Sequence, residues 1–215
     1  MDNLFFKEEH KMVQNMVCDF ARSEIRPIAK ELDKNGSFPI RIVKKMGQPG
    51  LIGINVHTKY GDSDLDTVAC LTAIIELAKV DASVAFTMAS HTSLRTLPLL
   101  LFGNKRLKKK YLPKVASGEI FLAYGLAEPH ADSDTKPFKT KAIKVEGKYI
   151  INGSKIFITT AREAGLLSFI SRVVEKGHDK GLGLFRDAKI LEIVEGTSEI
   201  QRLTISREIV KDKMA

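Results

Sequence analysis

A glutamate stands directly before a glycine and a predicted helix start in the segment EGTSEIQR, residues 195–202. Ser198 and Gln201 have the Ser-x-x-Gln spacing of a capping box, which predicts that a helix begins at Thr197 or Ser198. Glu195 would then lie beside the positive end of the helix dipole, which favours the ionised carboxylate and suits a general base. Acidic side chains at such positions often serve only to stabilise the helix, so spacing alone leaves both roles open.

The other reactive side chains are scattered along the chain. None of the histidines has metal-ligand spacing, so we predict no metal site. They are His10, His57, His91, His130 and His178. Cys18 and Cys70 lie in apolar helical patterns, which is typical of small core residues in a reducing compartment and predicts no disulfide.

The first third of the chain has the pattern of helices. Between residues 4 and 25 apolar side chains recur at steps of three and four, the period of a helix that buries one face. They are Phe6, Met12, Val13, Met16, Val17, Phe20 and Ile25. Pro27 should kink or end this helix, and a second helix should open near Ser37 as its cap, with Pro39 at the start.

Two further helices are predicted in the apolar middle of this region. The segment 66–80 is apolar on most faces and is expected to be buried. Another helix should run from about Ala82 to Leu101 and also contribute to the core.

The period changes after Gly118. Short apolar runs alternate with turn residues at Glu146-Gly147 and Asn152-Gly153, and the Asn-Gly pair is the strongest hairpin signal. From Arg186 the pattern is helical again. We therefore predict an α+β fold, mainly α. It has an N-terminal helical domain (1–118), a partial antiparallel β-domain (119–185) and a single C-terminal helix (186–215).

The net charge of +8 is concentrated in one segment, because residues 104–114 contain six basic side chains and no acidic ones. Without an aromatic platform or a nucleic-acid motif, this pattern predicts a solvated helix face and no nucleic-acid binding. The longest apolar run, near LPLLLF, is too short to span a bilayer. We expect a cytoplasmic protein that binds no membrane.

Three segments resemble signatures of one enzyme family. RDAKILEIVEGTSEIQRLTISREI resembles the C-terminal signature of the acyl-CoA dehydrogenases, which carry a catalytic glutamate in Ile-Tyr-Glu-Gly-Thr. LAYGLAEPHADSD resembles their Glu-Pro-Gly-Ala-Gly-Ser-Asp segment, and YIINGSKIFITTA resembles their Asn-Gly-(Ser/Thr)-Lys-x-Trp-Ile-Thr strand. Because other segments follow the family's N-terminal helices in order, the chain is identified as a member from nearly end to end.

The resemblance implies a flavoenzyme of fatty-acid β-oxidation. Glu195 would remove the α-proton of an acyl-CoA thioester while the β-hydrogen leaves as hydride to FAD, giving a 2-enoyl-CoA. The electrons would pass to an electron-transferring flavoprotein. Because a carboxylate with a pKa of about 4.3 is a weak base for this proton, such a site must stabilise the enolate and dry the glutamate's surroundings.

The resemblance also implies which residues contact the ligands. The FAD contacts would be Tyr124, Leu126, Ala127, Ser133, Phe157, Ile158, Thr159, Thr197, Ser198 and Glu199. The substrate contacts would be Ser133, Gly196 and Arg207, the last facing the CoA portion.

The chain also departs from the family pattern. Phe185 is followed at once by RDAKI, so the chain resembles an internally truncated member that lacks half of the middle sheet and most of the C-terminal helices. Helix 66–80 would lose packing partners, and covering its apolar face predicts a homo-oligomer.

Several substitutions fall in the motifs themselves. Ala127 replaces a usual Ser or Thr, and His130 and Asp132 replace glycines, changes that count against tight FAD binding. Phe157 replaces a common Trp and keeps an aromatic wall, whereas Val194 replaces a Tyr beside the base.

Two alternatives to catalysis stay open. The chain could be a catalytically inactive, internally deleted remnant that acts as an interaction module with a full-length relative. It could also reflect a join introduced into the sequence, which would leave each segment intact and the fold incomplete.

Overall fold

The computed structural model describes residues 6–61, 63–131, 134–188 and 201–202. The chain divides into two compact units, Met1–Ile120 and Phe121–Ala215. The division into 1–118, 119–185 and 186–215 stays a prediction.

The first unit is helical. Its helices are α1 Glu8–Phe20, α2 Ala29–Asn35, α3 Ile40–Lys45, α4 Thr67–Ala78, α5 Ala82–Ser90, α6 Thr96–Phe102 and α7 Lys105–Ala116. A π-helical turn Ala21–Ile25 extends α1, a second one, His91–Arg95, joins α5 to α6, and a 3₁₀ turn covers Thr58–Tyr60. The predicted helix from about Ala82 to Leu101 is confirmed as this continuous α5–π–α6 run.

Helix α1 packs against α4 along one stripe of its surface. Val13 and Val17 lie on this stripe and are buried, together with Ala21 and Ile25 in the turn that follows. The prediction that Met12 and Met16 share the buried face is wrong, because both are exposed. The apolar positions of α1 span a wider face of the helix than the stripe that packs against α4.

The prediction that helix 66–80 is buried holds for only part of α4. Ala69, Ala73 and Leu77 are buried, but Leu71 and Ile75 are 53% and 56% exposed. Within this unit α4 packs against α1 and α5, and these two helices leave its remaining side to solvent.

The structure corrects two predictions for the segment between Pro27 and Pro39. Pro39 is the N-cap of α3, and Ser37 makes no side-chain cap because the helix begins only at Ile40. Helix α2 was not predicted after Pro27; it ends at Gly36, whose φ of +56° is the left-handed geometry that glycine adopts readily.

The basic segment 104–114 forms α7. Leu107, Leu112 and Val115 are buried, whereas Lys105 and Lys109 are exposed, as expected for a solvated basic face. Among the described residues no helix has both the length and the apolarity needed to cross a membrane.

The second unit is built on a sheet. Its strands are β1 Phe121–Gly125, β2 Lys141–Val145, β3 Lys148–Asn152, β4 Ser154–Lys155, β5 Ala164–Glu175, β6 His178–Ala188 and β7 Gln201–Arg202. Its core consists of Ala123, Ala142, Ile151, Ala164, Leu167, Phe169 and Val173.

The α+β class is confirmed, but the sheet is mixed and not purely antiparallel. The long strand β5 pairs with β6 along one edge, antiparallel. Strands β1 and β2 pair in parallel with successive parts of β5, and β2 pairs antiparallel with β3. Strand orientation was mispredicted because β1 and β2 reach β5 through crossovers, which local alternation does not encode.

One predicted hairpin forms and another does not. Glu146 and Gly147 both have positive φ and close the β2–β3 hairpin. Asn152-Gly153 closes none, because β3 and β4 do not pair. Gly153 instead lies so close to Thr140 that a Cβ atom there would overlap the threonine side chain.

The predicted start of the C-terminal helix at Arg186 is wrong, because residues up to Ala188 belong to β6. Gln201 and Arg202 are also outside any helix, since they pair with β4 as a two-residue strand. The rest of the segment 186–215 lies outside the described residues.

Candidate functional site

Two chain segments that the sequence associates with a cofactor lie against each other in the sheet unit. One follows β1 (residues 126–128), and the other leaves β4 (residues 155–159). The backbone N–H of Ile156 donates to the carbonyl of Ala127 at 2.9 Å. Lys155 Nζ donates to the carbonyl of Leu126 at 2.7 Å. Tertiary contacts therefore join two motifs that are almost thirty residues apart.

Phe157 is the most solvent-exposed large apolar side chain in the described part of the chain, at 89% exposure. Its φ of +53° lies in the left-handed region, which costs a non-glycine residue of order 1–2 kcal/mol. Thr159 is also exposed, and Thr160 beside it has a φ of +60°. A strained backbone that holds an uncovered aromatic ring at the surface indicates a binding surface.

The neighbouring side chains anchor this surface to the sheet. Ile158 is half-buried and packs against the sheet core. Gly125 lies beside both anchors, because a Cβ there would be 3.3 Å from Phe169 Cβ and 3.4 Å from the side chains of Ile158 and Lys155. Tyr124 is half-buried opposite Ser168 of β5, and burial raises the pKa of its hydroxyl.

Beneath the surface lies a buried ion pair. Lys155 Nζ is 2.9 Å from Glu128 Oε1, and each side chain is only 1% exposed. The ammonium also lies 3.9 Å from the centroid of the Phe138 ring. Glu128 further accepts the backbone N–H of Lys139 at 2.7 Å and that of Thr140 at 3.1 Å.

The electrostatics of this pair are dominated by its burial. Burial by itself would raise the pKa of Glu128, but the hydrogen bonds that the carboxylate accepts outweigh this effect and hold its pKa below the ordinary value. Burial lowers the pKa of Lys155, and Glu128 offsets that only in part. The carboxylate is thus firmly ionised, with its charge compensated locally.

No role was predicted for Glu128 or Lys155, although both lie inside the motifs LAYGLAEPHADSD and YIINGSKIFITTA. The signal was a lysine directly before the apolar run IFI in NGSKIFI, and an acid at the end of the mainly apolar run LAYGLAE. Charged residues in such runs are expected to find a partner when buried.

His130, expected to replace a glycine near the cofactor, has contacts within the sheet unit. Its Nε2 lies 3.1 Å from the carbonyl oxygen of Pro137 and 3.4 Å from Glu128 Oε2. The ring is thereby held beside the buried acid.

The structure brings together Tyr124, Leu126, Ala127, Phe157, Ile158 and Thr159 of the predicted cofactor contacts. The other predicted site residues lie outside the described residues. These are Ser133, Glu195, Gly196, Thr197, Ser198, Glu199 and Arg207. Asp132 and Val194 also lie outside them.

In the helical unit, Glu9, His10 and Asp66 form a cluster of metal-ligand type that the histidine spacing did not predict. The Nδ1 atom of His10 accepts the backbone N–H of Lys7 at 2.9 Å, so the neutral ring carries its proton on Nε2. His10 Nε2 lies 3.0 Å from Asp66 Oδ1. Asp66 also caps α4, because its Oδ1 accepts the backbone N–H of Ala69. These bonds explain the cluster as a pair of helix caps.

Comparison with known proteins gives one consistent result. The family described as "Acyl-CoA dehydrogenase, N-terminal domain" matches residues 7–119, and "Acyl-CoA dehydrogenase, middle domain" matches residues 123–202. An acyl-CoA dehydrogenase of Bacillus subtilis is 45% identical over 159 residues, which cover 74% of this chain and 42% of that protein.

Solved structures agree with these matches. A structure described as the electron transferring flavoprotein of Acidaminococcus fermentans has a TM-score of 0.84 and 31% identity, covering 98% of this chain and 58% of that one. An acyl-CoA dehydrogenase complexed with FAD from Bacillus anthracis has a TM-score of 0.81 and 28% identity, covering 98% and 38%.

The chain spans less than half the length of the curated relatives it matches, from 42% to 48%. Within that span the helical unit, the mixed sheet and the paired motifs all correspond to one family. The chain belongs to the acyl-CoA dehydrogenase family.

Proposed function

We propose that the chain binds FAD and catalyses α,β-dehydrogenation of an acyl-CoA thioester to a 2-enoyl-CoA, a step of fatty-acid β-oxidation. The observation that carries the proposal is the joining of segments 126–128 and 155–159 beneath an exposed aromatic surface. These are the segments to which the family resemblance assigns the flavin.

The described residues fit such a cofactor. Phe157 offers an uncovered ring against which a planar ring system can pack, and the exposed Thr159 offers a hydroxyl at the same surface. Ile158 and Tyr124 supply half-buried apolar area beside them. Ala127 offers no side-chain donor, and its carbonyl accepts the backbone N–H of Ile156. The loss of one flavin contact at this position stays a prediction.

The proposed chemistry divides between the cofactor and the chain. FAD, when bound, would supply the acceptor for the hydride that leaves the β-carbon. Glu195 would take the α-proton on its carboxylate, which requires dry surroundings that raise its basicity. Ser133, Thr197, Ser198 and Glu199 would complete the cofactor contacts, and Gly196 and Arg207 would contact the substrate.

The electron acceptor is proposed to be an electron-transferring flavoprotein. The support is family membership together with the likeness to the structure described as the electron transferring flavoprotein of Acidaminococcus fermentans. Self-association is proposed as well, because Leu71 and Ile75 present apolar area at the surface of the helical unit. The cytoplasmic location stays a prediction of the sequence.

Two observations favour the rival proposal of an inactive remnant that associates with a full-length relative. The chain covers under half of its relatives, and an apolar side of α4 is uncovered. The remnant would bind through this side and would need no cofactor.

Visible absorption of the purified chain separates the two proposals. The enzyme should take up FAD, show a flavin band near that of other flavoproteins, and lose the band when a short acyl-CoA is added without oxygen. A protein that is colourless after incubation with excess FAD and removal of the unbound cofactor would rule out the enzyme and leave the remnant. Light scattering on the same sample tests self-association.

A further inference from the structure

Three hydrogen-bonded or charged contacts join the two segments proposed to hold the flavin, and Lys155 makes two of them. Its ammonium donates to the carbonyl of Leu126 at 2.7 Å and to Glu128 Oε1 at 2.9 Å. The third contact is the adjacent backbone bond from Ile156 to Ala127 at 2.9 Å. One side chain thus bridges the end of one motif to the start of the other.

Glu128 extends the bridge to a third segment. Its two carboxylate oxygens accept the backbone N–H groups of Lys139 and Thr140, which precede β2. The carboxylate therefore connects the loop after β1 to the residues that precede β2. These bonds also fix the position of the carboxylate that accepts from Lys155.

Filling space alone does not account for this arrangement. A buried ion pair is usually no more stabilising than apolar side chains of the same volume, because both ions lose their hydration. A methionine would fill the volume of Lys155 and pack on Phe138, but it would not bind the Leu126 carbonyl. What the ammonium adds is a fixed position for the backbone of residues 126–128.

We infer that Lys155, held by Glu128, is a positioning residue of the cofactor surface. It locks Leu126 and Ala127 against the start of the segment 155–159, so that the two motifs form one preorganised surface. This inference rests on the proposed function, since the surface is assigned to FAD there. Lys155 itself touches no reacting atom, and its effect is exerted through the backbone it holds.

The test uses the whole chain with FAD as the probe. The variants are Lys155→Met, which removes the ammonium at similar volume, and Glu128→Gln, which removes the charge but leaves an acceptor. Lys144→Met is the matched control, because Lys144 pairs with Glu175 at 3.1 Å in the same sheet but is exposed to solvent. FAD affinity is measured by quenching of flavin fluorescence, well below the melting temperature of each variant.

A second readout needs no cofactor. Amide hydrogen exchange at Ile156, whose N–H donates to Ala127, reports whether the two segments stay joined. A role confined to stability would lower the melting temperature without changing FAD affinity or exchange at this amide in the folded protein.

The expected result is a loss of FAD affinity of about 10- to 100-fold in Lys155→Met, the effect of removing a hydrogen bond to a charged group. Glu128→Gln should lose less, since the bond to Leu126 can persist, and Lys144→Met should match the parent. Exchange at Ile156 should accelerate in Lys155→Met only. If Lys155→Met fails to fold, the other two variants decide. Weaker FAD binding by Glu128→Gln than by Lys144→Met supports the inference, and equal FAD binding by the two overturns it.

A folded Lys155→Met that binds FAD as the parent does would overturn the inference. If the parent itself binds no FAD, the proposed function fails, and hydrogen exchange alone decides the positioning role. In that case unchanged protection at Ile156 in Lys155→Met refutes it, and loss of protection confined to 126–128 and 155–159 supports it.

Discussion

The ammonium of Lys155 and the carboxylate of Glu128 lie 2.9 Å apart in an environment where each side chain is almost fully buried. Neither charge can be satisfied by water, so each depends on the other and on the backbone groups that surround them. Removing one partner leaves an uncompensated charge in the sheet unit, whereas removing both leaves none.

This dependence predicts strong coupling between the two positions. Lys155→Met and Glu128→Leu should each lower the free energy of unfolding by about 3–5 kcal/mol, because breaking a buried pair strands its partner. The double variant should cost clearly less than the sum of the two, as measured by urea denaturation. Additive losses would mean that the two side chains act independently.

Replacing Phe157 should change FAD affinity without changing the stability of the cofactor-free chain. Its ring is exposed, so Phe157→Ala should leave the melting temperature of the cofactor-free chain nearly unchanged. The same variant should weaken FAD binding by about two- to tenfold, since stacking against an aromatic ring contributes of order 0.5–1.5 kcal/mol. Equal FAD affinity in the parent and the variant would show that the ring is not a cofactor wall. Leu182→Ala, an exposed apolar change on β6, is the control.

His91 gives the helical unit a defined response to acid. Burial lowers its pKa to about 4, and the neighbouring Arg95 adds to the effect. Because the unfolded imidazole titrates at about 6.5, stability from the neutral ring is complete above that pH and is lost as the pH falls towards 4, by about 3 kcal/mol in all.

The measurement is the free energy of unfolding of the parent and of His91→Gln between pH 4 and 7. The glutamine variant cannot take up a proton, so its stability should fall less steeply with acid than that of the parent. Parallel curves for the two proteins would contradict a buried neutral histidine.

Glu195 carries the proposed proton transfer. Glu195→Gln should retain the yellow flavin band but abolish its bleaching by acyl-CoA, because an amide cannot accept the α-proton. Stopped-flow absorption under anaerobic conditions measures this rate. A variant that bleaches as fast as the parent would place the base elsewhere.

The sequence carried much of the architecture in its local patterns. The spacing of Val13 and Val17 predicted α1, and the turn at Glu146-Gly147 predicted the β2–β3 hairpin. The motifs around Tyr124 and Phe157 predicted that both segments contact FAD, which stays a prediction, and the family comparison agrees with the resemblance they carry. These signals are strong because helix period, turn chemistry and motif spacing are properties of neighbouring residues.

Tertiary structure decided what depends on residues far apart in the chain. It made Met12 and Leu71 exposed, because only one stripe of each helix finds a partner within the unit. It turned the expected antiparallel sheet into a mixed one through crossovers to β5. It also buried Lys155 against Glu128, a pairing across twenty-seven residues that no local pattern specifies. Which side chains are buried and which pair is decided by how whole helices and strands pack together. The sequence alone determines only which residues are able to be buried or to form a pair.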